Sequence, residues 1–201
     1  MSRRLVLLRH GQTDWNASRR MQGQRNSQLD ETGLAQAVAV APVIAGYRPE
    51  VIWTSDLDRA ARTAQIVGES CGCAPVYDAR LREYTLGAWE GKTHDEFLAQ
   101  APALFESFRA DRWDEISEIE SPSAVAQRFT GCLDDVVAGL GSDATGVVVA
   151  HGAAIRTGLV AWLGWIPELA RTLAPLGNCA WVELVESDTG WLLGAYNRAV
   201  S

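Results

Sequence analysis

Histidine is scarce in this chain, with three in 201 residues. Cysteine is nearly as scarce, with four: Cys71, Cys73, Cys132 and Cys179. Cys71-Gly72-Cys73 does not have the CxxC spacing of a redox or zinc motif, and no second pair accompanies it. Reduced thiols in a cytoplasmic protein are therefore expected. No apolar run approaches the length of a membrane span, so no membrane partner is expected. The run that follows Met1-Ser2-Arg3-Arg4 is too short for a secretory signal core, and no small-residue cleavage site follows it. Positive charge is in deficit as well. The formal net charge is -7, whereas a nucleic-acid surface is basic as a whole or along a clear stripe. No internal repeat or low-complexity tract is present.

The remaining composition is that of an ordinary soluble globular chain, with 47% hydrophobic and 21% charged residues. The length suits one domain, 1–201, and is enough to bury a core without disulfides or metals. The eight tryptophans are expected mostly in the core or in a pocket wall, because an indole is costly to leave exposed.

Hydrophobic patterning predicts strands that alternate with helices. Residues 4–8 read as a buried strand, followed by a polar loop over 9–29. Loops longer than about 12–15 residues are usually functional or disordered; Trp15 and Met21 favour an ordered, functional one. Asp30 reads as the N-cap of a helix running to Ala45, with Gly46 as a left-handed C-terminal residue. A second strand covers 51–54. Ser55 is expected to open the next helix, with Asp58 completing a partial capping box; that helix runs to Ser70. A weak strand follows at 75–77. Residues 80–121 read as a lid or insertion with short helices near 93–100 and 102–109. Pro122 suits the first turn of a helix over 122–140. A central strand at 146–150 precedes a helix over 153–163, and strands at 180–186 and 191–196 flank a hairpin turn. This order predicts an α/β protein, a three-layer αβα sandwich whose sheet is mostly parallel but mixed.

Two of the three histidines stand where buried strands end, in Arg9-His10-Gly11 and in Ala150-His151-Gly152. Ligands of open α/β sheets bind at the carboxyl ends of the strands. A neutral imidazole is a good nucleophile near neutral pH. A neighbouring guanidinium grips two phosphate oxygens at once. Arg59 lies in the first turn of a predicted helix, where anions are already favoured, while Arg62 reads as an ordinary surface residue. An alkoxide leaves poorly without a proton. Glu83, in Leu81-Arg82-Glu83-Tyr84, is the candidate acid, and its apolar and aromatic neighbours are expected to keep it protonated. Glu90 competes, but reads as a structural residue in a turn. His94 reads as a surface or pocket-rim residue.

These blocks resemble the histidine phosphatase, or phosphoglycerate-mutase-like, superfamily. The segment Arg9-His10-Gly11-Gln12-Thr13-Asp14-Trp15-Asn16 is similar to its R-H-G-[EQ]-T-x-W-N signature. Leu29 to Gly33, Ser55 to Ala60, Leu81 to Gly91 and Ala150-His151-Gly152 follow in family order. The resemblance implies that His10 is the phosphorylated nucleophile and that Glu83 is the acid/base. It implies that Arg9, Arg59 and His151 bind the phosphoryl group, with Asn16, Gln22 and Gly152 lining the phosphate pocket. Asp56 stands where many members have proline, and Asp30 where many have threonine. The chain lacks the long insertions and C-terminal tail of cofactor-dependent mutases, which favours a phosphatase.

Arg20 to Gln24, Ser55-Asp56-Leu57 and Gly177-Asn178-Cys179-Ala180-Trp181 look similar to the glucosyl-3-phosphoglycerate phosphatases. The implied partner is a small phosphorylated metabolite, with no cofactor, no metal and a homodimeric assembly. The rivals are a mutase that returns the phosphoryl group to an acceptor and a non-catalytic phospholigand-binding protein on the same fold.

Overall fold

The computed structural model describes residues 2–110 and 112–200. The apolar residues of its first strand, β1 (Arg4–Arg9), divide between two cores. Successive strand side chains point to opposite faces. Leu5 and Leu7 therefore join one buried cluster, and Val6 and Leu8 join the other. The central strand β4 (Thr145–Ala150) repeats this alternation and is buried along its whole length. Val148 and Ala150 belong with Leu5 and Leu7; Val147 and Val149 belong with Val6 and Leu8.

The other strands are β2 (Val51–Thr54), β3 (Pro75–Tyr77), β5 (Trp181–Ser187) and β6 (Gly190–Arg198). The sheet order is β3-β2-β4-β1-β5-β6. Pairings β3–β2, β2–β4 and β4–β1 are parallel, and β1–β5 and β5–β6 are antiparallel. This is the mixed, mostly parallel sheet that the terminal hairpin required.

Seven α-helices accompany the sheet among the described residues: α1 (Asp14–Ala17), α2 (Glu31–Ala45), α3 (Asp58–Cys71), α4 (His94–Gln100), α5 (Pro102–Arg109), α6 (Pro122–Ala138) and α7 (Gly152–Trp162). Val40 and Ile44 of α2 and Ala64 and Val67 of α3 cover one face. Phe129 and Leu133 of α6 and Ile155 and Leu159 of α7 cover the other. Among the described residues no helix is long and apolar enough to cross a membrane.

Three local expectations need correction. Gly46 is right-handed, with φ -59°; the chain after α2 turns left-handed at Arg48, φ 52°, whereas α3 does end at a left-handed glycine, Gly72, φ 70°. Ser55 does not open α3, which begins at Asp58 without a side-chain cap from its own N-cap residue, Leu57. Its hydroxyl is engaged with His151 Nε2 at 2.9 Å and accepts from Leu57 N–H. The loop over 9–29 contains α1, closed by a reciprocal Thr13–Asn16 capping box.

Candidate active site

The register Arg9↔Ala150 aligns the ends of β1 and β4. His10 and His151 are the next residue on each strand, and His10 N–H donates to Ala150 O at 3.0 Å. Their ring centroids are 5.2 Å apart, and both side chains are buried. His10 Nδ1 lies 2.7 Å from Gly11 O. A carbonyl oxygen only accepts, so Nδ1 carries the imidazole proton and Nε2 holds the lone pair. Burial, with the charges of Arg59 and Arg9 adding to it, holds His10 well below the ordinary imidazole pKa. The ring is therefore neutral at neutral pH.

Local packing fixes this geometry. Gly11 N–H donates to Thr63 Oγ1 at 3.1 Å. A Cβ on Gly11 would stand 2.5 Å from Gly33 O, so the start of α2 can approach the loop only because no side chain intervenes. His10 O accepts from Cys179 N–H and from Asn178 Nδ2, both at 3.2 Å. Asn178 Nδ2 also reaches Asn16 Oδ1 at 3.2 Å.

Arg9, His10, Asn16, Gln22, Arg59 and Glu83 line one cavity of about 200 Å³. Arg59 is 1% exposed. Its Nη1 donates to Arg25 O at 2.8 Å and its Nη2 to Gly23 O at 2.7 Å, so the 9–29 loop holds the guanidinium by its backbone. Burial pushes the Arg59 pKa down to about 10, which leaves it charged at neutral pH. Arg9 Nη1 donates to Leu176 O at 2.5 Å. Three buried nitrogens in or behind the cavity wall have no protein hydrogen-bond partner: Arg9 Nε and Arg59 Nε on lining side chains, and His151 Nδ1 on the ring packed against His10. Buried donors in native proteins are nearly always satisfied, and three such atoms from converging side chains make a site for an anion's oxygens.

Glu83 occupies the N-terminus of α7. Its Oε1 accepts from Ala154 N–H at 2.9 Å and Tyr84 N–H at 3.0 Å, and its Oε2 from Ala153 N–H at 3.2 Å. It thereby satisfies helix donors that would otherwise lack partners. This corrects the expectation of a purely apolar setting, because the carboxyl meets three backbone N–H groups. Gly152, at the same helix end, lies against Arg9, where a Cβ would stand in ordinary contact 3.4 Å from Nε. Gln22 Oε1 accepts from Ser27 Oγ at 2.5 Å.

The residues named from the sequence thus converge. His151 reaches the site through its contact with His10; it does not line the cavity itself. Glu90 is structural, as expected: its Oε1 accepts from Gln24 and Leu86 N–H. Arg62 is on the surface beside Gln65, and the His94 ring packs near Phe105 and Phe108. Sequence reasoning missed Ser55 and Asn178 as braces of the two histidines. It missed Tyr84, Leu86 and Phe108 as further parts of the cavity wall; Arg20, from a block matched by resemblance, and Trp113, one of the tryptophans expected in the core or a pocket wall, complete it. Tyr84, Phe108 and Trp113 carry no spacing signal, since they come from irregular chain, α5 and a short 3-10 turn of the 80–121 segment.

The family model described as the histidine phosphatase superfamily (branch 1) matches residues 5–199. A glucosyl-3-phosphoglycerate phosphatase of Mycolicibacterium vanbaalenii is 42% identical over 98% of this chain and 95% of that protein. A probable phosphoglycerate mutase, GpmB, of Erwinia tasmaniensis is 34% identical over 96% of this chain and 89% of that protein. The structure of a mycobacterial glucosyl-3-phosphoglycerate phosphatase with VO3 superposes with a TM-score of 0.89 at 37% identity, covering 98% of this chain and all of that one. With the cavity, the paired imidazoles and a match along nearly its whole length, the chain belongs to the histidine phosphatase superfamily.

Proposed function

We propose that this protein hydrolyses small phosphate monoesters through a phosphohistidine at His10, and that glucosyl-3-phosphoglycerate or a close sugar–glycerate phosphate is the substrate. The observation that carries the reading is His10 itself. It is a neutral imidazole whose Nδ1 proton is committed to Gly11 O, beside two buried guanidinium groups.

In the first step His10 Nε2 attacks phosphorus. The N–P bond forms as the P–O ester bond breaks, and protonated Glu83 gives its proton to the leaving oxygen. In the second step the Glu83 carboxylate takes a proton from water. The new P–O bond forms, the N–P bond breaks, and inorganic phosphate leaves. Arg9, Arg59 and His151 Nδ1 donate to the phosphoryl oxygens, whose charge they meet without reorganising. Asn16 and Gln22 shape the phosphate end of the cavity, and Gly152 lies against the Arg9 guanidinium. Ser55 holds His151 through Nε2, which directs an Nδ1 proton to the phosphoryl group.

The segment 80–121 serves as a lid within a single 1–201 domain; Leu86, Phe108 and Trp113 from it line the cavity. The cysteines among the described residues are free, which supports a reducing, cytoplasmic setting. The homodimer in this reading rests on the family likeness and is tested by sedimentation.

The mutase alternative is favoured by the likeness to the probable phosphoglycerate mutase. Specificity constants for glucosyl-3-phosphoglycerate and 3-phosphoglycerate, with and without a bisphosphorylated primer, decide between them. The phosphatase reading predicts inorganic phosphate from the sugar-bearing ester in preference, with no primer dependence. Primer-dependent isomerised phosphoglycerate in place of phosphate would overturn it.

A further inference from the structure

The acid-bearing segment has little regular structure to hold it. A single 3-10 turn covers Ala79–Leu81, and the chain then runs on through Arg82 and Glu83. One side chain from outside the segment satisfies three of its carbonyls. Arg128, on α6, donates from Nη1 to Arg80 O at 2.7 Å and to Arg82 O at 2.6 Å. Its Nη2 donates to Glu83 O at 3.1 Å, an oxygen that Gln24 Nε2 also reaches at 3.1 Å.

The remainder of the Arg128 fork meets Glu120. Nε donates to Oε1 at 2.8 Å and Nη2 to Oε2 at 2.9 Å. Glu120 in turn is tied to the chain just beyond the acid. Its N–H donates to Thr85 O at 2.9 Å, and Thr85 N–H donates to its Oε2 at 3.3 Å. The pair is mostly buried, with side chains 18% and 20% exposed. Arg128 and Glu120 therefore join both ends of the excursion over 84–119 at its base, where Glu83 departs toward α7. Neither residue lines the cavity.

We propose that Arg128, braced by Glu120, is a positioning residue for the general acid: it fixes the Glu83 backbone so that the carboxyl sits at the end of α7, facing the leaving group. The inference rests on the reading of Glu83 as acid. A guanidinium is a rigid planar fork with five donors, and lysine is a point charge on a flexible stem. Arg128→Lys keeps the charge and loses the simultaneous grip on three carbonyls and a carboxylate.

The test separates leaving groups. First-turnover rates of His10 phosphorylation are measured with p-nitrophenyl phosphate, whose leaving group needs no proton, and with glucosyl-3-phosphoglycerate, whose alcohol does. Glu83→Gln comes first: a loss confined to the alcohol ester establishes the acid, and equal loss with both substrates overturns the acid reading itself. With the acid established, Arg128→Lys is expected to slow the alcohol ester roughly 10-fold to 100-fold, the scale of a misplaced catalytic group. The aryl ester should stay within about twofold on the same scale. Glu120→Gln, which leaves the guanidinium in place, is expected to show the same selectivity to a smaller degree. Selective loss in Glu83→Gln, with neither Arg128→Lys nor Glu120→Gln distinguishing the two esters, would overturn the positioning role.

Discussion

At the scale of single residues, the site depends on removing protons from two imidazoles. His10 and His151 are both held well below the ordinary imidazole pKa, first by burial and then by the Arg59 charge. The cost appears in stability. Below pH 6.5 the unfolded chain protonates these histidines while the folded chain resists, so the unfolded state binds more protons and stability falls as pH falls. The contribution is fully present above the unfolded value of 6.5 and is lost progressively toward the lower folded values. One unit below 6.5 the loss is on the order of 1 kcal/mol for each buried histidine. Urea unfolding at pH 7.5 and 5.5 is expected to show this loss, and His151→Gln is expected to reduce the difference by about half. The same pH dependence in the variant would show that His151 is not held neutral by the fold.

At the scale of elements, the ends of β1 and β4 deliver the chemistry, and the packing beneath them holds those ends still. Gly158 on α7 faces Phe129 of α6. A Cβ there would stand 2.2 Å from Phe129 Cδ1, with two more ring carbons inside 3.0 Å. Alanine gains about 1 kcal/mol of helix propensity over glycine, whereas overpacking a tight core costs roughly 1–3 kcal/mol. With three ring atoms to displace, the overpacking term is expected to win. Gly158→Ala should lower the melting temperature, and a rise would show that the α6–α7 interface is slack. The elements were legible where one period dominated. Residues 5–8 and 146–150 are uniformly apolar, and Asp30 and Pro122 mark true helix starts. Failures came where a local signal met a distant partner. Ser55 has the chemistry of an N-cap, but its hydroxyl engages a histidine 96 positions away. Gly46 stands after a helix as a left-handed cap would, but the chain there continues right-handed.

At the scale of the molecule, the fold brings residues 9–10, 59 and 83 to one cavity, with His151 packed against His10, and Leu86, Phe108 and Trp113 of the 80–121 segment complete its wall. The candidate residues could be named from the sequence because each has a type that the proposed reaction requires and lies in a block that resembles the family. The supporting residues could not. Asn178 and Arg128 act through backbone oxygens, and Glu120 through Arg128 and Thr85 N–H, so their roles exist only once the chain has folded. Asp56, a departure from the usual proline, pairs with Arg82 and so links the end of β2 to the acid segment; its residue type alone gave no hint of that. The central claim is that one nitrogen of one imidazole carries the phosphoryl group between the two steps. The direct measurement is to quench the protein in alkali within its first turnover and locate the label by mass spectrometry and phosphorus NMR. The expected result is phosphate on His10 at Nε2, absent from His10→Ala. Phosphate on His10 Nδ1, on His151 or on no histidine would contradict it.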